Sequence, residues 1–172
     1  MSSEDSRGPS GVVDEAVRLT AVHEAGHAVM AELCGQQVTE IEVEGDDRHT
    51  GSVRSLRFVE EHPEEVDPHL PTAPLERRLL CTVAGMVAEA MASGRDGWDE
   101  GSEDLDAAVR LAIQVVGDCE RVIPFLETAR AHAEDLLRRH WTAVEILTDA
   151  LVARGRLSGE EVRRLTAGAL PD

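Results

Sequence analysis

His23, Glu24 and His27 stand in the run His-Glu-Ala-Gly-His. On a helix, four residues advance the chain by about 6 Å and turn it slightly past one revolution, so the two imidazoles share a face. They can then converge on one zinc ion at roughly 2.0–2.1 Å. Glu24, one residue round, can reach a metal-bound water without ligating the metal itself. Zinc acidifies such a water and the glutamate accepts its proton, which is hydrolytic chemistry. Gly26 leaves room for another element to approach. The plain alternative is two structural histidines with a solvated glutamate; chance produces this pattern roughly 0.03 times per chain of this composition.

A third ligand is needed. An extension of the motif with Gly and His would fall on Met30 and Leu33, so that arrangement is excluded. Two downstream acids remain. Glu89 lies in an apolar helical run, where a carboxylate is costly unless paired or bound to metal. Asp104 lies near the start of a helix after Gly101–Ser102, beside Ala107, Ala108, Leu111 and Ala112. Either could ligate while the other orients a histidine. His49, His62 and His69 fall in loops and His132 and His140 on or near a polar helix, all read as solvated.

Several elements must hold these groups. The spacing of Val17, Ala21, Ala25, Ala28, Val29 and Leu33 predicts a helix over 14–33, stopped by Gly35. Strands are expected at Val38–Glu44 and Ser52–Phe58, joined as a hairpin through a Gly/Asp-rich loop. Residues 59–72, acidic and proline-bearing, read as a mobile surface loop, and 1–12 as a disordered lead. A central apolar helix runs from Pro74 to Ala92 before Gly94, and a third spans Glu103–Val116 before Gly117. A fourth is expected from about Pro124 to Arg139. Thr142–Glu145 and Ser158–Glu161 read as capping boxes opening a fifth and a terminal sixth.

Composition sets the limits. The 172 residues carry 17 basic and 34 acidic side chains, a net charge of -17; every base is arginine, and lysine and tyrosine are absent. Lysine-dependent P-loop and Schiff-base chemistries are therefore excluded. The charge also opposes binding to nucleic acid. Aromatics are confined to Phe58, Trp98, Phe125 and Trp141, so the core must be Leu, Val and Ala, which favours helix. Cys34, Cys81 and Cys119 are odd in number and widely spaced, as expected of free thiols in a reducing compartment. No stretch resembles a signal peptide or reaches the ~18 apolar residues of a membrane span, and the expectation is a cytoplasmic protein without membrane contact.

LTAVHEAGHAVMAEL resembles the zinc-binding helix of the peptidase domain of FtsH-type AAA proteases, where a similar HEAGHA is typical. TVAGMVAEAM is similar to that family's GGRAAEEL helix, GSEDLDAAVRLA to its TGASNDLERATRLA segment, and HWTAVEILTDALVARGRLSGEEVRRL to the end of the domain. The matches run in order over roughly residues 18–167, far more specific than the two-histidine motif alone.

The resemblance implies a mainly α, compact metallopeptidase domain over 13–170, with a small β-hairpin or sheet beside the zinc-binding helix and one zinc per chain. It makes His23, His27 and Asp104 the ligands, with Asp106 the fallback, Glu24 the general base, and Glu89 a supporting residue. By the same likeness an edge strand at Gly51, Ser52, Val53, Arg54 and Ser55 would hold extended substrate by backbone pairing. Departures are Met86 for the family's arginine, Ala90 for its second glutamate, and Glu100–Gly101 for its Gly-Ala. No stretch resembles the family's ATPase domain or membrane segments. The expectation is a zinc endopeptidase acting on unfolded polypeptide or peptides, alone or with a separate ATPase or other partner protein, and compatible with a homo-oligomer. A non-catalytic interaction module retaining the metal is the alternative. Without tyrosine, zinc, an arginine or a backbone N–H must stabilise the oxyanion. The acidic charge predicts a preference for cationic or neutral segments.

Overall fold

The computed structural model describes residues 15–43, 69–95, 98 and 102–170. Along the chain these form α1 (Glu15–Leu33), β1 (Glu40–Glu42), α2 (Pro74–Ser93), α3 (Glu103–Val116), α4 (Cys119–Arg139), α5 (Trp141–Arg154), β2 (Arg156–Ser158) and α6 (Gly159–Thr166). The fold is mainly α with one small antiparallel sheet, as the sequence predicts.

α1 lies inside the molecule, packed between α2 and α5. Every residue from Glu24 to Ala31 is buried, because small side chains let neighbouring helices close in on several sides. A β-carbon added at Gly26 would come within 2.5 Å of Ala88 Cβ and 2.8 Å of the Ala84 carbonyl oxygen, so its absence sets the α1–α2 approach. α2 turns its other faces to α3 and α4. The core is aliphatic, built on Val29, Met30, Leu79, Leu80, Leu136, Leu137 and Leu147, while Trp98, Phe125 and Trp141 pack at its margin. Burying each large aliphatic side chain contributes about 1.5–3 kcal/mol. No helix among the described residues is long and apolar enough to cross a membrane.

α2 begins with Pro74 in its first turn and ends at left-handed Gly94, and α3 ends at left-handed Gly117, all as read from sequence. Two helix starts differ from expectation. α4 begins at Cys119, because the Asp118 side chain accepts a hydrogen bond from Glu120 N at 2.9 Å. Pro124 therefore sits inside the helix, where it removes one early backbone bond. α5 starts at Trp141 with no side-chain cap, and the Thr142–Glu145 box is unused. Only His140 separates it from α4, and the His140 backbone serves both: its N–H donates to Leu136 and Leu137, and its carbonyl accepts from Ala143.

The sheet also has an unanticipated partner. β1 pairs antiparallel with β2, Ile41 opposite Leu157, both buried. The expected second arm at Ser52–Phe58 and the expected substrate strand at Gly51–Ser55 lie outside the described residues, as do the 1–12 lead and most of the 59–72 loop. The last residues of that loop form no helix or strand; Leu70 is buried and His69 offers its carbonyl to His132 Nε2 at 2.8 Å.

Candidate metal centre

α1 projects His23 and His27 from successive turns toward α2 and the first turn of α3. Ser102 caps α3, its hydroxyl accepting from Leu105 N at 3.2 Å, which sets Asp104 on the turn that faces the histidines. Asp104 Oδ2 lies 2.9 Å from His23 Nε2 and 3.2 Å from His27 Nε2, and the two Nε2 atoms are 3.1 Å apart. These three residues offer donor atoms close enough together to hold a metal ion, and they are the only such group among the described residues. Asp106 is exposed and takes no part in the cluster.

The outer ring nitrogens define the tautomers. His27 Nδ1 is 2.7 Å from the Cys81 carbonyl oxygen, which can only accept, so Nδ1 carries the hydrogen. His23 Nδ1 is 3.1 Å from Glu89 Oε2, a carboxylate that accepts in the same way. In their neutral forms both imidazoles therefore direct an Nε2 lone pair at the other and at Asp104. Three electron-rich atoms at this separation repel unless a proton or a cation lies among them, and the donor set fits zinc.

Electrostatics agree. Burial alone would lower the His23 pKa, but hydrogen bonds to Asp104 and Glu89 and the Glu24 and Asp104 charges outweigh it and raise it to about 9. Burial would likewise raise Asp104, yet hydrogen bonds from His23 and His27 hold its carboxyl well below the usual range. Glu89, nearly half exposed, is lowered by its bond to His23.

Glu24 is the second mark of a ligand site. Its carboxyl is buried, and Oε2 has no hydrogen-bond partner among the described residues. Burial raises its pKa, opposed by His27 and His23. A buried unpartnered carboxylate oxygen is costly, and a polar ligand or water beside the cluster would relieve it.

The sequence reading brings His23, His27, Glu24, Asp104 and Glu89 to one place, and the structure gathers all five. It does not single out the Cys81 carbonyl, because any residue supplies one. The available signal was an i, i+4, i+8 stripe of Cys81, Gly85 and Glu89 along α2, interrupting an apolar helix with a glycine.

Two histidines a turn apart and a carboxylate from another helix, on a mainly helical fold, make the zinc metalloproteases the class to compare. Within that class the likeness is to the FtsH type. The chain is 25% identical to an ATP-dependent zinc metalloprotease FtsH of Rickettsia bellii, over 88% of this chain and 29% of that protein. It is 28% identical to the ATP-dependent zinc metalloprotease FTSH 9, chloroplastic/mitochondrial, of Oryza sativa subsp. japonica, over 86% of this chain and 21% of the relative. For FTSH 11, chloroplastic/mitochondrial, of Arabidopsis thaliana the identity is 27%, over 90% and 22%. The chain thus spans between 21% and 29% of the length of these relatives. No protein-family model matches it.

Proposed function

We propose that this chain is a zinc-dependent metalloendopeptidase that hydrolyses peptide bonds in unfolded polypeptides or peptides. His23, His27 and Asp104 would hold one zinc per chain, and Glu24 would be the general base. The observation that carries this reading is the buried, unpartnered Glu24 Oε2 beside three convergent donor atoms. A structural metal site has no use for such a carboxylate.

Zinc held there would supply a Lewis acid to a peptide carbonyl and to a water molecule. The chain's own residues do the rest. Glu24, its basicity increased by burial, takes a proton from the attacking water and delivers it to the leaving amine nitrogen. The Cys81 carbonyl and Glu89 keep His27 and His23 in the tautomers that present Nε2 inward. The resemblance assigns extended substrate to the Gly51–Ser55 stretch. The net charge of -17 favours cationic or neutral segments over acidic ones. A separate ATPase or other partner protein would unfold folded substrates for it, a homo-oligomer is compatible with this reading, and the cytoplasm is the compartment that fits the free thiols.

The test is bound zinc and cleavage of casein or an unfolded peptide, for the protein and for Glu24→Gln. Both should bind zinc, and the variant should lose about 10²–10⁴-fold in cleavage rate. Undiminished cleavage by Glu24→Gln would sink the mechanism. Full zinc occupancy with no cleavage of any unfolded substrate would favour a non-catalytic metal-containing module.

A further inference from the structure

Gly85 lies in the middle of α2, directly beneath the two imidazoles. A β-carbon added there would overlap His27 Nε2 and stand 2.6 Å from both His23 Nε2 and His23 Cδ2. Real β-carbons essentially never approach so closely, and two of the three atoms met are the Nε2 atoms that face Asp104. Gly26, on the facing helix, is different: its missing β-carbon makes room for Ala88 and the Ala84 backbone, not for a ligand.

Two hydrogen bonds hold the imidazoles against swinging clear of such an atom. His27 is tied to the Cys81 carbonyl, one turn before Gly85, and His23 to the Glu89 carboxylate, one turn after it. Successive turns of α2 thus hold one ring, leave a gap, and hold the other ring. The gap is where both Nε2 atoms meet. Rotating either ring away would break its tether, and separating the helices would open the tight α1–α2 contact at Gly26.

We propose that Gly85 is a positioning residue of the metal centre: its lack of a side chain lets His23 and His27 present both Nε2 atoms to one divalent cation. This deepens the zinc reading above and rests on it only for the identity of the cation. Backbone freedom is not what Gly85 supplies, since it lies within a regular helix, where alanine is ordinarily preferred to glycine.

Two measurements test it. The first is the zinc affinity of Gly85→Ala by chelator competition, with circular dichroism confirming a helical metal-free protein. Binding should weaken by about 10–100-fold, the range for residues that orient ligands; wild-type affinity in the folded variant would overturn the proposal.

The second needs no metal and holds even where Gly85→Ala folds poorly. It is a double-mutant cycle in metal-free thermal melting, Gly85→Ala introduced into the parent chain and into His23→Ala/His27→Ala. In the parent it should lower the melting temperature by several degrees. With both imidazoles gone it should leave the temperature unchanged or raise it, as alanine suits a helix better. Equal losses in both backgrounds would overturn the proposal, because they would place the conflict elsewhere in the packing. Failure of the parent chain to bind zinc would count against the proposed cation, while the cycle still decides the role of Gly85.

Discussion

The α1–α2 seam and the helix ends of the α5–β2–α6 region are built by different means. At the C-terminal end the helix boundaries are set by residues that lie beside them in the chain. Left-handed Gly155 ends α5, the Ser158–Glu161 capping box opens α6, and Arg154–Glu161 and Arg156–Glu42 ion pairs lie on the surface. At the seam the decisive feature is what is missing. Gly26 and Gly85 remove two side chains between the helices, and residues far apart in sequence fill the space. Rules that act over one turn of chain therefore set the helix ends of the periphery, while β2 between them depends on pairing with β1. The candidate site depends on how closely two helices approach, which no local rule controls.

The largest effect should come from the donor that reaches the seam from α3. Asp104→Asn exchanges the carboxylate 2.9 Å from His23 Nε2 for a neutral amide, and zinc affinity should fall by at least about 10³-fold. Glu89→Gln alters only the tether to His23 Nδ1 and should cost about 10–100-fold. Equilibrium dialysis with zinc measures both. The reverse ranking would transfer the ligand role to Glu89 and undo the assignment.

Proton linkage at the same place should separate the seam from the periphery in the metal-free protein. His23 has its pKa raised from 6.5 to about 9 in the fold, so its protonated form is favoured there. That contribution is fully present below pH 6.5 and is lost as the pH rises toward 9, an effect on the order of 3 kcal/mol at most. Thermal melts of chelated protein should therefore decline across this window, and His23→Ala should flatten the decline. Melts independent of pH between 6.5 and 9 would mean that Asp104 and Glu89 do not hold a proton on His23. A smaller loss, about 1–3 kcal/mol, is expected for Gly26→Ala, whose methyl meets Ala88 and the Ala84 carbonyl. Denaturant unfolding measures it, and a neutral result would remove the seam's dependence on close approach.

The same contrast explains what the sequence disclosed. α1, α2 and α3 could be bounded from periodicity, Pro74, Gly94 and Gly117, because those signals act on the residues beside them. Pro124 imitates a first-turn proline and so suggests too late a start for α4, whereas Asp118 provides the actual one. β2 could not be read at all: Arg156–Ser158 becomes a strand only by pairing with Glu40–Glu42, more than a hundred residues earlier. In the site, His23 and His27 were legible through their one-turn spacing. Asp104 and Glu89 could not be ranked from residue chemistry alone; only the family resemblance favoured Asp104. The Cys81 carbonyl and the gap at Gly85 belong to the helix pair and carry no side-chain signature.

The smallest effect tests the periphery by its own rule. Ser158 accepts from Glu161 N at 3.3 Å, while Glu161 Oε2 accepts from Ser158 N at 3.0 Å, so each residue satisfies an otherwise free group of the other. Ser158→Ala removes half of this exchange and should lower the melting temperature by about 2–4 °C, leaving zinc affinity unchanged. Hydrogen bonds from the Ser158 backbone and side chain lower the Glu161 pKa. The stability this provides is present above the ordinary carboxylate value of 4.5 and is lost as the pH falls through the depressed one. The gap between parent and variant should therefore narrow on acidification. A gap constant down to pH 3 would show that the cap acts through the hydroxyl alone. A change in zinc affinity would be more consequential, because it would mean that the α6 end communicates with the seam, through α5 or through the β1–β2 pair, and that the two regions are not separable.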